Sequence, residues 1–294
     1  MTFLRSLLPV AVCAISLASF LTAADPESAG DIKVMSYNLR FGTAEDGENH
    51  WEKRKEFLAE AIKATNPDLL GTQETVGFQR DFIAEILPNC EVLAAGREDG
   101  REKGEMTAIY WRTDRFEKID GGHFWLSETP EDAGSMGWDT SLPRMATWVR
   151  LKDKAKDGKP VFWINTHFDH KGPVARIESA KLIRGRIGTL GKGCSLIVTG
   201  DFNAGEGSGP YQAMFGVRDN GESPVLDSYR VAHPQRETNE GTTTPFRSAP
   251  SAASRIDWIG VSRDWTVVAA GIEHPDREGR TPSDHFPVNA VLRR

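Results

Sequence analysis

Eight polar residues that can bind metal ions or move protons stand at the ends of apolar, strand-like segments. Carboxylate and amide oxygens are the ligands that a hard cation such as Mg²⁺ prefers, and histidine exchanges protons near neutral pH. Together they predict metal-assisted attack of water on a phosphoester. The eight residues are Asn38, Glu74, His167, Asp201, Asn203, Asp257, Asp284 and His285.

Each of these residues also has an ordinary structural interpretation. An Asn or Asp at a strand end is commonly a cap or turn residue. Asp257 alone could be a buried ion-pair partner, and His167 alone could be a core histidine. The interpretation as a site depends on their joint occurrence, because strand ends on a packed scaffold hold converging groups rigidly. The sequence has no serine nucleophile elbow, glycine-rich phosphate loop or Cys-x-x-Cys pair, so those chemistries are not predicted.

The elements that must carry these residues follow from hydrophobic periodicity and from turn residues. Since many of the strands are linked by hairpin-like turns, among them the turn at 113–114, we expect a mixed, largely antiparallel α/β arrangement covered by helices. Residues 203–253 are rich in Gly, Ser, Thr and Pro and are predicted to be irregular. Helices are predicted at 51–65, 78–87 and 174–190, and strands at 31–39, 68–74, 91–95, 106–112, 116–125, 146–152, 160–167, 195–201, 256–261, 265–270 and 286–292.

The composition is that of a soluble globular protein. The chain has 294 residues, of which 39% are hydrophobic and 27% are charged, and its formal net charge is -6. This acidic balance, without a Lys/Arg-dense stretch, does not favour tight binding of duplex nucleic acid. It is compatible with phosphate chemistry, because a bound divalent cation supplies local positive charge.

The first 24 residues have the pattern of a secretory signal peptide. Arg5 precedes an apolar run at 7–20, and the small residues up to Ala24 offer a cleavage site. The run is too short for a membrane anchor. We therefore expect residues 25–294 to be a single catalytic domain, secreted or periplasmic, without a membrane span and monomeric. Cys90 and Cys194 remain after cleavage and are predicted to be buried thiols.

Six short motifs, in chain order, resemble those of the endonuclease/exonuclease/phosphatase superfamily. The resemblance runs from about Ile32 to Leu292. It implies a deoxyribonuclease-like fold, a four-layer α/β sandwich in which two mixed, mainly antiparallel sheets pack face to face between helices. The segments 125–130 and 143–148 further resemble exported bacterial members. The six motifs are Y-N-L-R, G-T-Q-E, N-T-H, G-D-F-N, R-I-D-W-I and S-D-H-F-P.

The resemblance also implies a role for each of the eight residues. Asn38, Glu74 and Asp284 would form the metal site for Mg²⁺ or Mn²⁺. Asp201 and Asn203 would orient or deprotonate the attacking water. The resemblance further implies that His285, with Asp257 as its carboxylate partner, contacts the phosphate, and that His167 is a second catalytic histidine paired with Glu105.

Two further residues are predicted to bind the substrate. Arg144 precedes a strand and could hold a phosphate through two N–H donors. The alternative for Arg144 is a surface ion pair. His170 follows His167 closely and could reach the site or cap the next helix.

These observations predict an exported, divalent-metal-dependent hydrolase of a phosphomono- or phosphodiester whose identity the sequence leaves open. Two alternatives remain. The first is a nonspecific secreted nuclease, which the acidic composition disfavours. The second is a non-catalytic binding protein on the same fold, which is disfavoured because no expected site residue is missing.

Overall fold

The computed structural model describes residues 30–156, 158–217 and 221–294. The predicted signal peptide at 1–24 lies outside these residues. In the described part of the chain, no helix is both long and apolar enough to cross a bilayer. Cys90 and Cys194 are free thiols, as predicted, but both are only partly buried.

Two sheets of six strands each form the centre of the fold, and their strands include every predicted strand. The first sheet has the order β11-β12-β1-β2-β4-β3 and the second the order β5-β6-β7-β8-β10-β9. The strands are β1 (Ile32–Asn38), β2 (Leu69–Gln73), β3 (Cys90–Leu93), β4 (Ile109–Arg112), β5 (Phe116–Trp125), β6 (Met145–Asp153), β7 (Val161–His167), β8 (Ser195–Asp201), β9 (Leu226–Asp227), β10 (Asp257–Val261), β11 (Thr266–Ile272) and β12 (Val288–Arg293).

Parallel pairing occurs once in each sheet, between β1 and β2 and between β7 and β8. The neighbouring pairs are antiparallel. The predicted mixed, mainly antiparallel architecture is therefore confirmed. The parallel pairs matter for function because they bring the carboxyl ends of two strands to the same edge of each sheet.

Helices cover the outer face of each sheet. On the first sheet, Leu58 and Ile62 of α1 and Ile83 of α2 pack against Met35 and Leu70. On the second sheet, α3 and α4 bury their apolar residues in the same way. The predicted four-layer sandwich is thus confirmed. The helices are α1 (Trp51–Thr65), α2 (Gly77–Ile86), α3 (Pro173–Leu190), α4 (Gly209–Phe215) and α5 (Ser228–Ala232).

The inner faces of the two sheets form the main core. Strand alternation sends Val34 towards the other sheet and its neighbour Met35 towards α1, so both faces of β1 are buried. Trp163 of the second sheet belongs to the same inner core as Val34. Burial on both faces explains why these strands are almost continuously apolar and were recognisable in the sequence.

Two expectations about local structure were wrong. The segment 203–253 was predicted to be irregular, but it contains α4, β9 and α5. These elements have seven residues or fewer, too few to show a hydrophobic period. The turn at 113–114 was expected to join a hairpin, but β4 and β5 lie in different sheets. Local turn chemistry cannot distinguish a hairpin from a crossing between sheets.

Candidate active site

The eight polar residues converge at one edge of the sandwich. Asn38 lies beside Gln73 in the β1–β2 pair, and His167 lies beside Asp201 in the β7–β8 pair. Antiparallel β10 begins at this edge, where Asp257 is in register with Asp201. The segment containing Asp284 and His285 reaches the same edge immediately before β12. The convergence follows from the directions of the strands, because the parallel pairs end at this edge and antiparallel β10 begins there.

Asn38 connects the two sheets at the centre of this edge. Its Nδ2 donates to Glu74 Oε1 and to Asp201 Oδ2, both at 3.0 Å. Its Oδ1 accepts from the backbone N–H of Arg40 at 2.9 Å. The side chain is completely buried, and its bond to Asp201 is shielded from water. Asn38 therefore holds a carboxylate from each sheet at a fixed separation.

Two of the site residues adopt left-handed backbone conformations. The φ angle is 56° at Glu74 and 46° at Asn203, values that non-glycine residues seldom adopt. Glu74 Oε2 accepts from Phe41 N at 3.0 Å, and Asn203 N donates to Asp201 Oδ1 at 2.9 Å. Such strain persists only where surrounding contacts determine the conformation, and it is frequent at functional sites.

His285 and Asp257 form a buried hydrogen-bonded pair. His285 Nδ1 is 2.9 Å from Asp257 Oδ2, and His285 Nε2 is 3.8 Å from Asp201 Oδ2. Burial alone would lower the pKa of His285, but the carboxylates of Asp257 and Asp201 outweigh it and raise the pKa well above its ordinary value. The pair thus has the geometry that the sequence predicted, with a cationic imidazole facing Asp201.

Asn203 contacts the Nε2 atom of the His167 ring. The amide Nδ2 of Asn203 donates to the carbonyl oxygen of Phe168 and lies 3.1 Å from His167 Nε2. Since that amide nitrogen is a donor, Nε2 is the acceptor, and the proton of a neutral ring is on Nδ1. Burial, followed by the nearby Arg144 and Arg97, lowers the pKa of His167 well below its ordinary value.

Glu105 lies close to His167 but binds another residue. Its carboxylate accepts two hydrogen bonds from Arg97, at 2.7 and 2.8 Å. His167 Nδ1 is 3.9 Å from Glu105 Oε2, which is too long for a hydrogen bond. The structure therefore places Glu105 beside His167 without a hydrogen bond between them, and the arginine partner was not foreseen.

Arg144 is buried, which excludes the surface ion pair that the sequence left open. Its side chain is 4% exposed, and its Nη2 is 2.9 Å from Nδ1 of His170. Its Nε lies 3.5 Å from Asp169 Oδ2. His170 itself is exposed. The structure thus brings both predicted substrate-binding residues together, and it places Arg144 next to His167 and Glu105.

The carboxylates of this edge suit a divalent cation. Burial, followed by the charge of Asp257, raises the pKa of Asp201 to about 7. Burial also raises the pKa of Asp284, and Glu74 adds to that effect. Like charges in a buried cluster repel each other, and a bound cation relieves that repulsion. The oxygen donors of Glu74, Asp201 and Asp284 fit Mg²⁺ or Mn²⁺.

Two groups in the described residues bring three ligand atoms within 4.8 Å of one another. One group is Glu74, His167 and Asp201, and the other is Asp201, Asp257 and His285. The resemblance assigned Asp201 to the attacking water and made His167 a second catalytic histidine paired with Glu105. Asp201 belongs to both groups.

Arg54 is a site residue that the sequence reasoning missed. From α1 it donates to the backbone oxygens of Leu39, at 2.7 Å, and Pro282, at 2.9 Å. It therefore joins the chain that follows Asn38 to the chain that precedes Asp284. A signal was available, because Arg54 stands within the buried stripe of an otherwise amphipathic helix.

A buried polar network below the site was also missed. Gln73 Nε2 donates to Asn165 Oδ1 at 2.7 Å and to Ser36 Oγ at 3.0 Å. Asn165 Nδ2 donates to the backbone oxygens of Thr72 and Ala108. The network joins the two sheets and fixes the position of one relative to the other. In the sequence these residues were indistinguishable from ordinary polar residues of strands.

Comparison with known proteins gives consistent matches. A model described as "Endonuclease/Exonuclease/phosphatase family" matches residues 35–285. A solved family protein from Bacteroides thetaiotaomicron is 37% identical, with a TM-score of 0.81, and the match covers 89% of this chain and 97% of that chain. A mannosyl-6-phosphatase from the same organism has the same identity and TM-score, with 90% of this chain and 100% of that chain covered.

A more distant relative is mouse nocturnin. It is 23% identical over 293 residues, which corresponds to 88% of this chain and 64% of nocturnin. The chain thus spans less than two thirds of that relative's length.

Proposed function

We propose that this chain, which belongs to the Endonuclease/Exonuclease/phosphatase family, hydrolyses phosphomonoesters of small molecules such as sugars with a divalent metal ion. Membership confirms the resemblance that the six motifs predicted, and the family is one of metal-dependent phosphoester hydrolases. The observation that carries the proposal is the convergence of Glu74, Asp201 and Asp284 beside the Asp257–His285 pair.

A divalent cation held by Glu74 and Asp284 would supply positive charge to a phosphate oxygen and lower the pKa of the attacking water. The chain provides the remaining steps. Asp201, positioned by Asn38, accepts a proton as the water oxygen bonds to phosphorus. The bond from phosphorus to the leaving oxygen breaks, and that oxygen takes the Nε2 proton of His285. The proton on Asp201 then returns to His285, whose Nε2 is 3.8 Å away.

The remaining site residues bind and orient in this mechanism. Asp257 fixes His285 through Nδ1, so that Nε2 faces the phosphate. Asn203 and His167 form the wall beside the attacking water. Glu105 fixes Arg97 and faces His167, while Arg144 and His170 lie at the substrate side of that wall.

Two observations support a small phosphomonoester as the substrate. The mannosyl-6-phosphatase of Bacteroides thetaiotaomicron aligns over its whole length with this chain at 37% identity. The net charge of -6 opposes long contacts with a polyanion. Residues 1–24 support export to the periplasm or the medium, where such a phosphatase would act on substrates outside the cytoplasm.

A substrate panel tests the proposal. We expect purified residues 25–294 to release phosphate from mannose 6-phosphate and related sugar phosphates with Mg²⁺ or Mn²⁺, and to lose that activity in EDTA. Single- and double-stranded DNA and RNA serve as competing substrates. Faster cleavage of nucleic acid than of any sugar phosphate would favour the nuclease alternative. Full activity in excess chelator would contradict the metal mechanism.

A further inference from the structure

Arg40, two residues after Asn38, has a backbone conformation that suits glycine better than arginine. Its φ angle is 56°, in the left-handed region. The backbone is fixed at both ends, since Arg40 N donates to Asn38 Oδ1 at 2.9 Å. The carbonyl oxygen accepts from Arg54 Nη2 at 2.7 Å and from Gln79 Nε2 at 3.0 Å. Because glycine would adopt this conformation without strain, the arginine points to a use for its side chain.

The guanidinium of Arg40 is held beside the acidic cluster with one nitrogen turned towards it. Nε and Nη2 donate to the two oxygens of Asp46, at 3.0 and 2.9 Å. The guanidinium also lies 4.9 Å from the centre of the Phe41 ring. The third nitrogen, Nη1, is 3.7 Å from Asp284 Oδ2, which is too long for a hydrogen bond but close for two opposite charges. Asp46 therefore keeps a positive charge near Asp284 without full contact.

A positive charge in this position opposes the binding of a metal ion. Under the proposed function, Glu74 and Asp284 hold a divalent cation, and Arg40 would repel that cation at short range. The side chains of Arg40 and Asp284 are only 29% and 26% exposed, so water screens the repulsion incompletely. When no cation is bound, the same guanidinium offsets part of the repulsion among the carboxylates. Arg40 thus favours the metal-free cluster over the metal-bound one.

We propose that Arg40 sets the affinity of the metal site, as a fixed positive charge that competes with the divalent cation and is restrained by Asp46. The inference rests on the proposed function and deepens it, since it concerns the same metal site. The expected sign is distinctive. Loss of a residue that orients metal ligands weakens metal binding, whereas loss of a competing charge strengthens it. Loss of Asp46 should let the guanidinium close on Asp284 and weaken binding.

The first test measures metal binding without substrate. The free Mn²⁺ in a titration of the purified protein, read by electron paramagnetic resonance, gives the dissociation constant. We expect Arg40→Gly to lower this constant about three- to thirtyfold, because one competing charge is removed. Glycine accepts a φ of 56°, so the fold should be retained. Arg40→Lys keeps the charge and should bind Mn²⁺ no more tightly than the wild type. Unchanged or weaker binding by Arg40→Gly would overturn the inference.

The second test asks whether Asp46 acts through Arg40. We expect Asp46→Asn to raise the dissociation constant about three- to tenfold. The double variant Arg40→Gly/Asp46→Asn should bind Mn²⁺ about as tightly as Arg40→Gly, because the restraint has nothing left to hold. If Asp46→Asn weakens binding by the same factor with and without Arg40, the proposed restraint is contradicted.

The matched control is Arg112, at the end of the sandwich opposite the active site. Its Nε and Nη2 donate to Asp114, and its Nη1 lies 3.3 Å from Asp68 Oδ1. Its side chain is 33% exposed, close to the value for Arg40. Arg112→Met removes the same charge from the chain and should leave the dissociation constant within about twofold. Equal tightening by Arg112→Met would show an effect of net charge and would contradict the inference.

The outcomes separate this inference from the proposed function. A wild type that binds neither Mn²⁺ nor Mg²⁺ contradicts the metal mechanism of the proposed function. A wild type that binds Mn²⁺ and hydrolyses sugar phosphates, while Arg40→Gly binds no more tightly, leaves the function standing and contradicts the role of Arg40. The melting temperature shows whether each variant is folded. If Arg40→Gly unfolds, Asp46→Asn decides the case, and unchanged Mn²⁺ binding by that variant overturns the inference.

Discussion

The two ends of the central strands contain the same kinds of charged residue in very different arrangements. At the end opposite the active site, Asp31 accepts two hydrogen bonds from Arg293, and Asp153 accepts from Arg115 and Arg294. At the catalytic end, the carboxylates face one another and the backbone. The first end is the paired end, because its carboxylates are hydrogen-bonded to arginines. The catalytic end is unpaired in this sense: Glu74 and Asp201 share the amide of Asn38, and Arg40 Nη1 lies 3.7 Å from Asp284, too far for a hydrogen bond. Glu105, at the margin of the site, is the exception, since it binds Arg97.

The pKa values follow from this difference. The hydrogen bonds from Arg293 lower the pKa of Asp31. Burial would raise the pKa of Asp153, but hydrogen bonds from Arg115 and others outweigh it and lower the pKa. Burial and like charge instead raise the pKa of Asp201 and of Asp284. Uncompensated charge, rather than the presence of charge, distinguishes the site.

The volume of a cavity does not by itself identify the active site. A polar cavity of about 300 Å³ lies at the paired end, lined by Asp31, Asp68 and Arg112 among others. Asp68 accepts from Lys33 N and from Arg112. The acidic residues of this cavity are therefore already paired with donors of the chain. A large cavity whose charges are paired by the chain is therefore a weak indication of catalysis.

The largest effect should come from removing a carboxylate at the unpaired end. We expect Glu74→Ala to reduce kcat/KM by roughly a thousandfold or more, because the metal site loses a ligand. The fold should be retained, since Glu74 is partly exposed and lies outside the apolar core. Phosphate release and the melting temperature are the measurements. A variant with near wild-type activity in Mg²⁺ would show that Glu74 is not a metal ligand.

A double-mutant cycle tests whether Asp257 and His285 act as a unit. We expect His285→Ala to cost on the order of a hundred- to a thousandfold in kcat and Asp257→Asn to cost most of that amount. The double variant should lose little more, because coupled groups give non-additive losses. If the losses in activation free energy of the two single variants simply add in the double variant, the pairing is contradicted. The same cycle on Glu105 and His167, which are not hydrogen bonded, should show weaker coupling.

The smallest effect on catalysis should come from the paired end. Asp153→Asn leaves Arg115 and Arg294 without their carboxylate, so we expect a loss of about 2–4 kcal/mol in the free energy of unfolding. Turnover below the melting temperature should stay within about twofold. Denaturant unfolding and kcat are the measurements, and a large loss of kcat with unchanged stability would break the distinction between the two ends.

The pH dependence of that stability difference follows from the pKa of Asp153. A carboxylate whose pKa is lowered by folding stabilises the folded state above its unfolded pKa, which is about 3.9. The stabilisation is lost as the pH falls through the lower, folded-state value. We therefore expect the wild type and Asp153→Asn to differ fully at neutral pH and to converge in acid.

The sequence by itself determined the long strands and helices and singled out the polar residues that converge at the candidate site. Long apolar strands and α1 were recognisable because their burial imposes a pattern on every residue, and the bounds of α1 and of β8 agree with the prediction. Polar residues at apolar strand ends, such as Asn38 and Asp201, were conspicuous for the same reason. These features depend on neighbours along the chain, which a sequence contains.

Only the tertiary structure decided how those residues are partnered. That Arg97 rather than His167 binds Glu105, that Arg144 is buried with two nitrogens unpartnered, and that Arg54 joins two distant loops depends on contacts between remote segments. Charge compensation is a property of distances in space, and it separates the reactive end of the sandwich from the paired one. Residue types and spacing do not show which charges are compensated, because aspartates and arginines occur at both ends.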